Sequence, residues 1–259
     1  MQILKKERLG EVNISNEGYE MKIVEYNGRK DITVEFQDEY KTRVHTRYDH
    51  FLEGIVKNPY NPSIFNKGYI GQGKYKIKEN GKTTKAYQIW YNMLQRCYDP
   101  YWINKHLTYI DCYIYDEWLC FQNFAKWFYK NYYECNGERI ELDKDILIKG
   151  NKIYSPETCI LVPQRINLLF IKRDTLRGKC PIGVSFKKNN NKFQAYCSIL
   201  KNDKKKQIYL GYYDTSEDAF LVYKNFKENY IKQVADEYKD LIPNRLYEAM
   251  YRYEIEIND

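Results

Sequence analysis

Lys204-Lys205-Lys206 and Lys187 lie in the most basic part of the chain, and clustered cations of this kind neutralise phosphates and release their counterions. Residues 171–233 hold fourteen Lys and Arg against six Asp and Glu, a net +8, while the balance is +2 for 1–80, +1 for 81–170 and −4 for 234–259. The overall excess of +7 is therefore concentrated on one segment, as expected for a nucleic-acid footprint and not for a generally basic protein. This balance excludes an acidic mimic of DNA. The lysine run is expected in a turn between two strands, where it would touch DNA backbone and not bases, or be a solvated turn. A second polar group is Asp143-Lys144-Asp145, two carboxylates flanking a cation between Leu142 and Ile146. It reads either as a solvated hairpin edge or as part of a site. His45 and His50 are spaced for opposite faces of a strand and align poorly on a helix, so they do not suggest a metal site. Seven cysteines without a Cys-x-x-Cys pair argue against a disulfide framework and against zinc. Cys97, Cys112, Cys120, Cys135 and Cys159 are expected reduced and buried.

The elements that must position these groups are legible as patterns. Residues 182–213 read as three strands: Ile182 to Lys187, Lys192 to Ile199, and Ile208 to Tyr213. In the second, Phe193, Ala195, Cys197 and Ile199 take one face and Gln194, Tyr196 and Ser198 the other. Thr215 and Asp218 form a capping-box signature, and Ala219, Phe220, Tyr223 and Phe226 recur at helical spacing behind it. One helix should therefore cover the apolar side of the sheet and leave the other side for a partner. Upstream, Tyr87 to Tyr98 predicts a helix with Trp90, Met93, Leu94 and Cys97 inward and Arg96 on its polar side. Asp116 to Tyr129 predicts another, with Trp118, Phe121, Phe124, Ala125 and Phe128 inward. Leu142 to Leu147, a turn at Lys149-Gly150-Asn151, and Tyr154 to Pro163 predict a hairpin, with Asn167 in a following helix. In the first third, Tyr19 to Tyr26 and Asp31 to Phe36 read as strands with Asn27-Gly28 between them, a hairpin signal. Further strands or turns are expected through Val44 and from Tyr48 to Val56. The turn-rich stretch from Asn58 to Gly73 ends this module, and Lys74 to Lys85 reads as a basic linker. Near the end, Ile242-Pro243 introduces a short helix with Leu246 and Met250, and Tyr253 to Ile257 reads as a strand.

The 182–231 segment resembles the AP2/ERF-type DNA-binding domain. The resemblance rests on Gly183-Val184, Phe193-Gln194-Ala195-Tyr196, Tyr209-Leu210-Gly211-Tyr212 and Thr215 to Ala219 leading into a helix. It implies a three-stranded sheet lying in the DNA major groove. The DNA-facing positions it implies are Ser185, Lys187, Tyr196, Ser198, Gln207 and Tyr209, with Lys204, Lys205 and Lys206 on the backbone. Only Lys187 among the six is charged, where the family is rich in arginine, so the family's affinity and sequence preference do not carry over.

Leu142-Asp143-Lys144-Asp145-Ile146, Gly150-Asn151, Tyr154-Ser155-Pro156-Glu157-Thr158-Cys159 and Asn167 resemble the HNH-type endonuclease of mobile and phage-encoded proteins, which an AP2-like domain often follows. That resemblance implies a ββα fold clamping one divalent cation, Mg²⁺ or Mn²⁺, on Asp143, Asp145 and Asn167, whose oxygens suit a hard cation. The position of the histidine base is held by Lys144, which is protonated unless its pKa falls by several units, and the central asparagine position is held by Thr158. The catalytic set implied is Asp143, Lys144, Asp145 and Asn167, with another carboxylate or His106 as base if the site is active. The N-terminal module resembles a small SH3-like barrel found at the front of phage-encoded DNA-binding proteins.

Hydrophobic residues make up 43% of the 259, so the chain can bury separate cores; its 28 tyrosines reflect coding bias as much as function. No segment reads as a membrane span or signal peptide. The expected fold class is α+β in several domains: a small β-barrel-like module over 1–74, a linker over 75–85, an HNH-like ββα domain with flanking helices over 86–173, an AP2-like sheet and helix over 178–233, and a helix-and-strand tail over 234–259. The expected function is a cytoplasmic, phage-encoded DNA-binding protein of the HNH/AP2 homing-endonuclease type acting on double-stranded DNA. The alternative is a catalytically degenerate regulator or anti-defence protein that binds DNA or a host protein.

Overall fold

A computed structural model describes residues 8–171, 180–201 and 204–259. It is a mixed α and β structure in two compact units, Met1–Lys130 and Asn131–Asp259. The division falls inside the span expected for the ββα domain, and the junction expected at 173–178 lies outside the described residues. None of the described helices is long and apolar enough to cross a membrane.

In the first unit, β1 (Val12–Ile14), β2 (Glu20–Gly28), β3 (Asp31–Phe36) and β4 (Arg43–Thr46) form an antiparallel sheet in that order. Alternation sends Met21, Ile23, Ile32, Val34 and Phe36 to one face, where Tyr48, Phe51 and Val56 close the core. A one-residue slip would turn this set to water at ~1.5–3 kcal/mol per side chain, which pins the register. The sheet does not close into the expected barrel. Instead of another strand, Tyr48–Leu52 forms helix α1, whose Tyr48 and Phe51 lie three apart on the side that covers the sheet, and β1 and β4 remain edges.

The expected linker is also structured. β5 (Lys78–Glu79) and β6 (Lys82–Thr83) form a tight ribbon across Asn80-Gly81, both at positive φ of 51° and 74°. Thr84 then caps α2 (Lys85–Tyr98) by accepting from the Tyr87 amide at 3.3 Å. The inward residues of α2 are the predicted Trp90, Met93, Leu94 and Cys97, plus Ala86. Short helix α3 (Pro100–Lys105) follows. The helix predicted from Asp116 breaks in two: a 3₁₀ turn over Asp116–Leu119, an extended Cys120, and α4 (Phe121–Asn131). The break places the Trp118 carbonyl to accept from Trp90 Nε1 at 2.7 Å, a buried bond that a continuous helix would have spent internally.

In the second unit, β7 (Ile140–Asp143) pairs antiparallel with β8 (Ile160–Pro163), and α5 (Gln164–Asn167) follows directly. β9 (Val184–Lys187), β10 (Lys192–Lys201) and β11 (Lys204–Tyr213) form a second sheet in that order. Thr215 caps α6 (Ser216–Tyr238), its Oγ1 accepting from the Asp218 amide at 3.1 Å. The inward stripe of α6 is Ala219, Phe220, Tyr223, Lys227, Tyr230, Ile231 and Val234; the expected Phe226 is only half-buried, and its neighbour Lys227 is buried instead. Helix α7 (Asn244–Tyr251) packs on α6, where Tyr247 and Tyr251 donate to Asp236 Oδ1 at 3.0 and 2.6 Å. The strand expected at 253–257 is absent. The Glu254 and Ile255 carbonyls accept from Lys149 and Lys224, and the Ile255 amide donates to Glu228, so side chains take the bonds a ladder would have made. The five cysteines expected to be buried are buried, and none of them is in a disulfide.

Candidate nucleic-acid interface

The register of the second sheet decides which side chains share a face. Val184 lies opposite Ala195, and Ala195 opposite Gly211; Val184, Ala195 and Cys197 are buried on the side covered by α6. The other parity puts Ser185 beside Gln194 and Tyr212, Lys187 beside Lys192, Tyr196 beside Tyr209, and Ser198 beside Gln207. All six positions implied by the AP2 resemblance therefore fall on the face that α6 does not cover. Lys187, Gln207 and Tyr209 are exposed, Tyr196 and Ser198 half-buried. Ser185 is least available, because its Oγ is covered and has no hydrogen-bond partner.

This face also holds Gln194 and Tyr212, neither among the six; the polar parity of the second strand already pointed to Gln194. A bulge opposite Ala195 and Tyr196 inserts Leu210 into β11 and changes its parity, so Tyr209 and Tyr212 meet edge to face at 5.5 Å. Gly211, at φ +126°, makes this possible, since a Cβ there would press on Tyr213. The Leu-Gly pair was the signal for this shift.

The lysine run corrects a second expectation. Lys204, Lys205 and Lys206 are not a turn but the start of β11, paired with Lys201, Leu200 and Ile199. Lys205 shares parity with Ser198 and Gln207 and belongs to the open face, while Lys204 and Lys206 emerge on the opposite side. All three are exposed.

The acidic hairpin is organised differently. Asp143 Oδ1 accepts from the amides of Asp145 and Ile146, each at 2.7 Å, closing the turn after β7. Burial pushes the Asp143 carboxyl above the ordinary carboxylate range, against the opposing pull of those two amides. Lys144 is buried, and its Nζ donates to Asp145 Oδ2 at 2.8 Å and to the Asn151 carbonyl at 2.7 Å. An ammonium held by a carboxylate and a carbonyl is a donor with nothing left to accept a proton. Asn167 donates its amide to Glu141, which shares the face of Asp143 on β7 and was not singled out in the sequence. Thr158 accepts from the Ser155 amide and donates to the Ile153 carbonyl at 2.7 Å, a turn-forming role. His106 belongs to the first unit, exposed, its ring 4.5 Å from that of Trp102.

Of the oxygens implied for Mg²⁺, Asp143 Oδ1 accepts from two amides and Asp145 Oδ2 accepts from Lys144, while Asn167 is bonded to Glu141 through its amide nitrogen. Among the described residues no group of three His, Cys, Asp or Glu is placed to hold a metal ion. In this arrangement Asp143 closes the turn and Asp145 pairs with Lys144. Comparison with family models, curated proteins and solved structures gives no match.

Proposed function

We propose that the chain binds double-stranded DNA by laying the open face of β9, β10 and β11 into the major groove, as a DNA-binding protein of the HNH/AP2 type. The supporting observation is one of register: two hydrogen-bonding glutamines, Gln194 and Gln207, share a face with Lys187, Lys205, Tyr196, Ser198 and Tyr209, while the apolar parity is packed under α6. The major groove admits a β-ribbon, and a Gln amide there can bond an adenine edge through two contacts. Lysines at the ends of the strands would meet phosphate and fix orientation. The net +8 of residues 171–233 supports the same reading. The Lys144 ammonium, bonded as it is, favours binding over a cleavage step that would use it as base.

Incubation with supercoiled plasmid and linear duplex, with Mg²⁺ or Mn²⁺ and with EDTA, tests this. A salt-sensitive shift with intact DNA in every condition is expected. Metal-dependent nicks abolished by Asp143→Ala would replace the binding reading with a nuclease, and neither shift nor cleavage would point to a protein partner.

A further inference from the structure

The inward stripe of α6 carries one residue that an apolar stripe would not choose. Lys227 follows Tyr223 and precedes Tyr230-Ile231 at core spacing, and it is only 8% exposed. Its Nζ makes no hydrogen bond and no ion pair among the described residues; it stands 5.9 Å from the centre of the Tyr230 ring. Burial holds the amine below the usual lysine range, opposed by the nearby Cys197 thiol, which burial itself pushes up. The other charged groups of α6 nearby are matched to each other, Lys224 to Glu228 at 3.1 Å. A cation at a core position with no counter-charge among the described residues calls for a partner.

Lys227 lines a cavity of about 340 Å³ that lies wholly within the second unit, between the 168–171 segment, the outer edge of β10, α6 and the C-terminal segment. Leu168, Leu169, Ile182, Ile199 and Ile231 give it apolar walls. The volume is at the lower end of the ~300–1,000 Å³ typical of small-molecule sites, and few polar groups in an apolar cleft is their usual make-up. Asp259 also lines it, but its carboxylate is occupied by Lys149 at 2.7 Å and by the Glu256 amide at 2.9 Å. Lys205, exposed at the rim, adds a second positive charge.

We propose that this cavity binds a small carboxylate with a short hydrocarbon body, its carboxylate paired with Lys227 and its chain against the leucine and isoleucine walls. The inference is independent of DNA binding. The anion supplies a counter-charge that the described residues do not, and the hydrocarbon fills space that would otherwise be lined on one side only.

Calorimetric titration of the full chain with octanoate and with octanol, for the wild type and Lys227→Met, tests it. Octanoate is expected to bind the wild type at least tenfold more tightly than octanol. Lys227→Met is expected to weaken octanoate by roughly ten- to a hundredfold while leaving octanol unchanged. Equal affinities for the two ligands in the wild type, octanoate binding that survives Lys227→Met, or no binding of either overturns the proposal. The wild-type comparison decides the matter alone if the variant does not fold.

Discussion

Because β11 alternates, the three consecutive lysines at its start do not act alike, and this gives a quantitative test of how the sheet meets DNA. Lys205 lies on the open face with Lys187, whereas Lys204 and Lys206 leave on the helix side. Each phosphate contact contributes about −0.9 to the slope of log affinity against log salt on duplex DNA. The double variant Lys187→Ala/Lys205→Ala should therefore flatten the slope by up to about 1.8. Over a fourfold rise in salt, that corresponds to about a twelvefold smaller loss of affinity than the wild type suffers. Lys204→Ala/Lys206→Ala removes the same formal charge from the same strand and should change the slope by well under half as much. Fluorescence anisotropy of a labelled duplex, titrated at several salt concentrations, reads both slopes. Equal changes for the two pairs would refute the face assignment and leave only a diffuse basic attraction. A larger effect from Lys204 and Lys206 would put the DNA on the wrong side of the sheet.

Three further outcomes follow from the packing. Asp143→Ala removes the acceptor of two turn amides and should lower the unfolding free energy by about 1–3 kcal/mol, while Asp143→Asn retains an acceptor and should unfold near the wild-type urea midpoint. Gly183 sits at φ +76° against the face of Tyr223, so Gly183→Ala is strained in backbone and in packing and should cost at least about 2 kcal/mol in the same assay. Lys227 has its pKa lowered from 10.5 by burial, so between that lowered value and 10.5 the unfolded chain holds a proton the folded chain lacks, and stability rises with pH. The stability gained by Lys227→Met should accordingly be greatest at low pH and fade above 10.5; a gain independent of pH would mean that the amine is not titrating in the fold.

The second sheet was legible because each of its signals is local: alternation over Phe193–Ile199, a capping pair at Thr215 and Asp218, and apolar residues at helical spacing behind them. Of the six face positions, alternation gives Tyr196 and Ser198, and the AP2 resemblance implies Ser185, Lys187, Gln207 and Tyr209. Tyr212 escaped because a bulge changes parity, and only the Leu210-Gly211 pair announces it. A run of like charges such as Lys204 to Lys206 reads as solvent-exposed loop, yet these residues open β11, exposed and still in the ladder. The N-terminal strands were visible, but not their failure to close, since sheet closure depends on which edges meet. The acidic hairpin was visible as a strand and turn. That Lys144 is buried between Asp145 and the Asn151 carbonyl was not, because the carbonyl seven residues on is brought there by the turn. Lys227 was passed over since helical spacing marks it as core while its type marks it as surface, and only burial resolves such a conflict.

The most direct test of the central claim is site-specific photocrosslinking to duplex DNA. One photoreactive side chain would stand at Tyr209 on the open face and another at Leu221, exposed on α6. The account expects crosslinks from position 209 that diminish with rising salt, and none from 221. Crosslinks from 221 alone, equally from both, or from neither would contradict a protein that reads DNA through the open face of its three-stranded sheet.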